Sequence, residues 1–143
     1  TYWALVVGVP DHDSGVIDAR LAKRGGEGRE RVESVDDGQA AETEYRILDH
    51  AARRISWLEL RPRTGRTHQL RAHCKVMGTP IVGDGKYGGR ESDVEGLPRR
   101  LHLHARGLTL PHPTTGERLT LAAPLDDVLS KSWAFVGFDA KVT

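Results

Sequence analysis

The chain is expected to be an α+β domain, a mixed, largely antiparallel sheet with few helices, and three observations lead there. A near-continuous apolar run at residues 2–9, ended by Gly8, Pro10 and Asp11, has the character of a strand buried on both faces. Residues 43–50 and 54–63 are extended segments with only a short connection between them, which predicts a hairpin. A convincing helical stripe occurs only at residues 67–77, where Leu70, Cys74 and Met77 fall at i, i+4 and i+7. At 143 residues the chain has the length of one domain with a single core.

Each element follows from local chemistry. The Pro-Asp-His-Asp-Ser-Gly cluster at 10–15 predicts a turn, with a second strand at 16–22. Residues 23–39 are charged and carry Gly25, Gly26, Gly28 and Gly38, the composition of an exposed loop or mobile hairpin tip. In 54–63, Ser56, Leu58 and Leu60 alternate with Trp57, Glu59 and Arg61. The helix at 67–77 is expected to be capped by Thr67 and ended by Gly78 in the left-handed conformation. Residues 79–89 are expected to be a Gly-rich irregular loop. Residues 101–110 and 118–123 predict strands joined by a Pro/Thr/Gly turn at 111–116. Residues 126–135 predict a closing helix, with Asp126 and Asp127 in its first turn.

Composition removes several classes. No apolar run approaches the roughly 20 residues of a membrane span, and no signal-peptide pattern opens the chain. The single Cys74 rules out an internal disulfide, so a cytoplasmic protein is expected. One Met, and Thr at position 1, suggest a piece of a longer protein.

The net charge of +1 hides a segregation. Between Glu59 and Asp84 there is no acidic residue, yet Arg61, Arg63, Arg66, Arg71, Lys75, His68 and His73 all fall there. Residues 97–116 carry only Arg99, Arg100, Arg106 and three His. Basic stretches of this kind point to a polyanionic partner. Residues 64–73, Thr-Gly-Arg-Thr-His-Gln-Leu-Arg-Ala-His, deliver a guanidinium from a turn at Gly65 to the start of the helix, where exposed N–H groups add to the pull on anions.

These residues also carry a resemblance. Segments 2–10 (Tyr-Trp-Ala-Leu-Val-Val-Gly-Val-Pro), 41–45 (Ala-Glu-Thr-Glu-Tyr), 64–71 (Thr-Gly-Arg-Thr-His-Gln-Leu-Arg), 80–84 (Pro-Ile-Val-Gly-Asp) and 103–105 (Leu-His-Ala) occur in an order and spacing that resembles the RluA family of RNA pseudouridine synthases, particularly its ribosomal large-subunit members. The resemblance extends over essentially the whole chain. It implies a pseudouridine synthase-like catalytic domain that breaks the C1′–N1 bond of a uridine in RNA, turns the uracil and rejoins C1′ to C5, with no cofactor and no metal. The target base must leave its stack to be reached.

The resemblance also implies roles. Tyr2 matches the active-site Tyr that stacks on the base and assists proton removal at C5, although a phenol with an ordinary pKa near 10 needs help from its surroundings. Arg71 matches the Arg that pairs with the nucleophilic carboxylate, for which a planar fork is better suited than Lys. Arg66, His68 and Gln69 are expected to contact phosphate or sugar or to brace the turn. Ile81 and Val82, with Val82 preferred, are expected to floor the uracil pocket. Asp84 and Lys86 are expected to stabilise the Gly-rich loop. The family's nucleophile is an Asp in a His-Arg-Leu-Asp type motif, and none of the eleven Asp residues stands in such a context. The chain is therefore expected to be a single-domain fragment, residues 1–143, lacking the nucleophile and inactive by itself.

Metal binding is not expected. His102 and His104 at i, i+2, with His112 and a distant Cys74, fall short of the closed set of N and S ligands that zinc requires. Two other functions fit the same residues: a non-catalytic RNA-binding module, and a protein-interaction domain with an incidental basic surface.

Overall fold

The computed structural model describes residues 1–25 and 30–141. Its centre is a five-stranded antiparallel sheet built from β1 (Tyr2–Val7), β2 (Ser14–Asp18), β5 (Glu42–Ala51), β6 (Ile55–Pro62) and β7 (Leu103–Ala105), in the order β2-β5-β6-β1-β7. Two antiparallel ribbons stand apart from it. One pairs β3 (Leu21–Arg24) with β4 (Arg31–Ser34), the other β8 (Gly107–Pro111) with β9 (Arg118–Ala122). The helices are α1 (Gln69–Val76), α2 (Gly85–Gly88) and α3 (Asp127–Phe135), with a 3₁₀ turn at Gly89–Ser92.

β1 has strands on both sides and helices over both faces, which is why it is apolar throughout. The period of two sends Trp3 and Leu5 to one face, where they join Ile55, Trp57, Val82, Leu129, Trp133 and Phe138. Ala4 and Val6 go to the other and meet Leu58, Leu60, Leu70, Cys74 and Ile81. The first layer is an aromatic core closed by α3, in which Trp57 meets Trp3 and Trp133 edge-on at 4.8 and 6.1 Å. The second is closed by α1. Tyr2 shares the parity of Ala4 and Val6, so it lies on the α1 face, packed against that second layer.

α3 begins as its sequence implies: the Asp126 carboxylate accepts from Leu129 N at 2.9 Å and is also paired with Arg100. α1 does not. Thr67 is not its cap; the helix starts two residues later, and its cap position is His68 in the left-handed region (φ 49°) without a side-chain capping bond. Its other end behaves as expected. Gly78 (φ 86°) donates to Lys75 O and Thr79 N to Cys74 O, a Schellman closure.

Three further expectations are corrected. Residues 16–22 are not one strand: the chain leaves the main sheet after Asp18, and β3 begins a ribbon with β4 in the region expected to be a loop or a hairpin tip. Residues 26–29, within that expected loop or hairpin tip at 23–39, lie outside the described residues. Residues 101–110 likewise divide between β7 and β8, because Thr1 O accepts from both Arg106 N and Gly107 N and turns the chain out of the sheet. Residues 79–89 are ordered by Asp84, whose carboxylate accepts from Tyr87 N at 3.2 Å and starts α2. Gly83 is required there: its φ is +79°, and a Cβ would sit 1.8 Å from Arg100 O.

Candidate active site

Where β1, the β6–α1 turn and β7 meet, an open groove of about 360 Å³ is lined by Tyr2, Arg66, His68, Gln69, Arg71 and Leu103, among others. Its size is within the range of small-ligand clefts. Among the described residues no acidic side chain lines it.

The turn that forms one wall is held from behind by Gln69, which is 4% exposed. Its Oε1 accepts from Thr64 Oγ1 at 2.6 Å and Arg66 N at 3.0 Å. Its Nε2 donates to Glu42 O at 2.8 Å and Thr43 Oγ1 at 3.0 Å. Both halves of the amide are thus used, so Gln69 braces the turn. Thr43 passes the chain of bonds on to His73 Nδ1 at 2.8 Å, and His73 Nε2 lies 2.9 Å from Ala19 O. A carbonyl can only accept, so the His73 proton is on Nε2 and Nδ1 accepts from Thr43. Burial holds the His73 pKa below the usual imidazole value.

Arg71 is turned toward its own helix's neighbour. Its Nε donates to Asp84 Oδ2 at 3.0 Å and its Nη2 to Asp84 Oδ1 at 2.8 Å, a side-on fork. That bond pushes the guanidinium pKa further up. Its Cζ also lies 5.0 Å from the centre of the Tyr87 ring. The fork uses two of five N–H groups; the Nη1 pair and one Nη2–H remain for a second, end-on partner. Asp84 itself is 1% exposed with both oxygens occupied, so it stabilises the Gly-rich segment and cannot attack a substrate.

His68 Nδ1 lies 2.8 Å from the Tyr87 hydroxyl, and the two rings meet edge-on at 5.6 Å. Burial first, then the charges of Arg71 and Lys86, lower the His68 pKa, with Asp84 opposing them. Arg66 reaches outward, its Nε donating to Ala40 O at 2.9 Å. Basic side chains continue beyond the groove: Arg31, Lys75 and Lys86 line an adjoining depression of about 540 Å³.

The structure therefore brings Tyr2, Arg66, His68, Gln69 and Arg71 together, and it leaves Ile81 and Val82 out. Ile81 is 0% and Val82 1% exposed, one in each core layer, and neither lines the groove. The expected pocket floor is corrected to core, because the Val6–Ile81 bridge and the Val82 N to Leu5 O bond draw this segment across the end of β1. Sequence reasoning overlooked Tyr87, which ties α2 to α1 and to the ribbon. The signal was present: a Tyr three residues after a capping Asp in a Gly-rich segment is placed by that cap. His102 is buried between Arg100 O and Ser132 Oγ, and His104 bonds Ala123 O. Among the described residues no group of three or more His, Cys, Asp or Glu is placed to hold a metal. The Cys74 thiol is pushed up to about 12 by burial, then by Asp84, so it is no nucleophile. No helix of the described residues is long and apolar enough to cross a membrane.

Comparison with known proteins gives this arrangement its context. A family model described as RNA pseudouridylate synthase matches residues 1–76. "RNA pseudouridine synthase 3, mitochondrial" of Oryza sativa subsp. japonica is 50% identical over 95 residues, covering 61% of this chain and 20% of the relative. "Dual-specificity RNA pseudouridine synthase RluA" of Escherichia coli (strain K12) is 37% identical over 125 residues, covering 87% of this chain and 56% of the relative. The solved structure of Human RNA Pseudouridylate Synthase Domain Containing 1 superposes with a TM-score of 0.71 at 33% identity, over 87% of this chain and 53% of that one. The chain thus spans little more than half of the E. coli relative's length and a fifth of the rice relative's. With the family model covering more than half of its residues, and a mixed α+β, largely antiparallel fold like that of the solved relatives, the chain belongs to the RluA family of RNA pseudouridine synthases.

Proposed function

We propose that this chain is the part of a pseudouridine synthase catalytic domain that receives the extruded uridine, and that the whole protein isomerises specific uridines in RNA, with large-subunit ribosomal RNA as substrate. The observation that carries this reading is that Tyr2 and Arg71, far apart in sequence, line one groove together with Arg66, His68 and Gln69 and the apolar Pro62, Leu70 and Leu103. In the proposed reaction the carboxylate of an Asp from a segment outside this sequence bonds to C1′ as the C1′–N1 bond breaks and leaves its electron pair on the uracil. After the uracil turns, C5 bonds to C1′, the carboxylate–C1′ bond breaks, and N1 gains a proton as C5 loses one. Tyr2 stacks on the freed uracil and takes the C5 proton after C5 has rejoined C1′. Arg71 holds the attacking carboxylate with the end-on N–H groups that Asp84 leaves free. Arg66 and the basic surface around Lys86 attract the phosphates. No cofactor takes part. We place the reaction in the cytoplasm, on the ground of the single buried thiol; the rice relative is named mitochondrial.

The test is tritium release from RNA labelled at uridine C5. The whole protein is expected to release tritium and the 143-residue chain to release none; turnover by the chain alone would refute the assigned division of labour. A second reading, a non-catalytic RNA-binding module, is favoured by a groove that no carboxylate of the described residues lines. That reading predicts no release by the whole protein either, with retained salt-sensitive RNA binding.

A further inference from the structure

His68 lines the groove from the left-handed region (φ 49°, ψ 27°), which residues other than Gly, Asn, Asp and His seldom adopt. The ring is aimed by Tyr87. The Tyr87 hydroxyl oxygen accepts from Val32 N at 3.1 Å, and its other contact is His68 Nδ1 at 2.8 Å. A backbone N–H can only donate, so the oxygen is the acceptor there; among the described residues His68 Nδ1 is the one acceptor within reach of the phenolic hydrogen, which is assigned to that bond. Nδ1 must then be bare, and the ring proton is on Nε2. Tyr87 is itself immobile: it is 3% exposed, its amide is held by Asp84, and the guanidinium carbons of Arg31 and Arg71 lie 5.4 and 5.0 Å from its ring centre. Among the described residues His68 Nε2 has no protein partner, although His68 lines the groove.

From this geometry we infer that His68 is a substrate-binding residue, giving its Nε2–H to an acceptor oxygen of the bound nucleotide, and that Tyr87 is the positioning residue that fixes its tautomer. The inference rests on the reading of the groove as the nucleotide site. It adds a purpose for the β3–β4 ribbon: through Val32 N the ribbon sets the direction of the Tyr87 hydroxyl, and through it the donor presented to the ligand. A strained residue that faces outward, with one nitrogen tied down and the other uncommitted, is what a preset donor requires. Burial first, then the neighbouring cations, lowers the pKa of the ring, which favours the neutral form that the bond to Tyr87 uses.

Two substitutions separate binding from bracing. His68→Asn places an amide near the Nδ1 position and is at ease in left-handed backbone, but has nothing at Nε2. His68→Gln reaches the Nε2 position and forgoes the bond to Tyr87. With the 143-residue chain and a uridine-containing RNA stem-loop, His68→Asn should fold normally and bind about tenfold more weakly. His68→Gln should be less stable yet keep most of the affinity. Affinity unchanged in His68→Asn, or lost equally in both, would overturn the proposal. In ¹⁵N-histidine spectra, His68 should show a bare Nδ1 and a protonated Nε2, with the tautomers mixed in Tyr87→Phe; a protonated Nδ1 in the unsubstituted chain would also overturn it. A shift of the Nε2–H signal with inorganic phosphate assigns the acceptor to phosphate, and one seen only with the RNA assigns it to a base or sugar oxygen. No shift with either overturns the donor role. If Tyr2→Ala and Arg71→Ala weaken binding while His68→Asn does not, the groove stands and this inference falls. If none of the three has an effect, the groove reading itself falls.

Discussion

Arg71 and Asp84 are joined by two hydrogen bonds of 3.0 and 2.8 Å, with the Asp84 side chain wholly buried and that of Arg71 22% exposed. The pairing gives each residue a separate task. Asp84 spends its charge inside the protein, fixing the guanidinium and starting α2. Arg71 keeps one edge toward the groove.

Removing the carboxylate should expose that dependence. Asp84→Ala takes away the partner of a half-buried cation and the cap of α2 together, so a loss of about 3–5 kcal/mol is expected. Urea unfolding checks it: the midpoint should fall with the slope unchanged, and a loss below 1 kcal/mol would contradict the assigned role.

Gly83→Ala should be nearly as damaging for a steric reason. The added Cβ would lie 1.8 Å from Arg100 O at a φ of +79°. Both the clash and the backbone conformation oppose it, and a loss of roughly 3–5 kcal/mol is expected from thermal or urea unfolding.

Gln69→Leu keeps the size of the side chain and removes its polar atoms. Thr64 Oγ1, Arg66 N, Glu42 O and Thr43 Oγ1 all lose a partner. A destabilisation of roughly 1–3 kcal/mol is expected, accompanied by faster amide exchange at Arg66.

Acid should weaken the fold before the carboxylates titrate. His73 and His102 are both held below the usual imidazole value, chiefly by burial. As pH falls, the unfolded chain takes up these protons first, so stability is full above about pH 6.5 and is lost progressively as pH falls through the folded values. Unfolding free energies measured between pH 7.5 and 5.5 should decline; a flat profile would count against it.

In the whole protein, Tyr2→Phe tests the phenol apart from the ring. Stacking survives, so RNA affinity should hold, whereas turnover should drop by about 10²-fold or more if the hydroxyl moves the C5 proton. Equal turnover would remove Tyr2 from the chemistry.

The elements legible in the sequence were those whose reason is local. β1 was readable because a strand covered on both faces must be apolar throughout, and α3 because Asp126 and Asp127 suit the positive end of a helix. The Schellman end of α1 followed from Gly78. What failed depended on distant partners. Thr67 is a good cap by type, yet the bonds from Gln69 to Glu42 and Thr43 fix where the first helical residue stands. The segment 101–110 has the composition of one strand, and the Thr1 carbonyl divides it. Ile81 and Val82 have the character equally of a pocket floor and of core; only the pairing with β1 decides between them.

The order of residues determined the sheet-rich fold, the basic turn and helix, and the family, since these rest on spacing along the chain. Tertiary structure decided which polar groups are consumed by the protein and which remain for a ligand. That Asp84 takes one edge of Arg71, that Gln69 has no bond to spare, and that Tyr87 leaves a single proton on His68 all depend on donors and acceptors meeting across the fold. Hydrogen bonds are short-ranged and directional, so their bookkeeping cannot be done along one dimension.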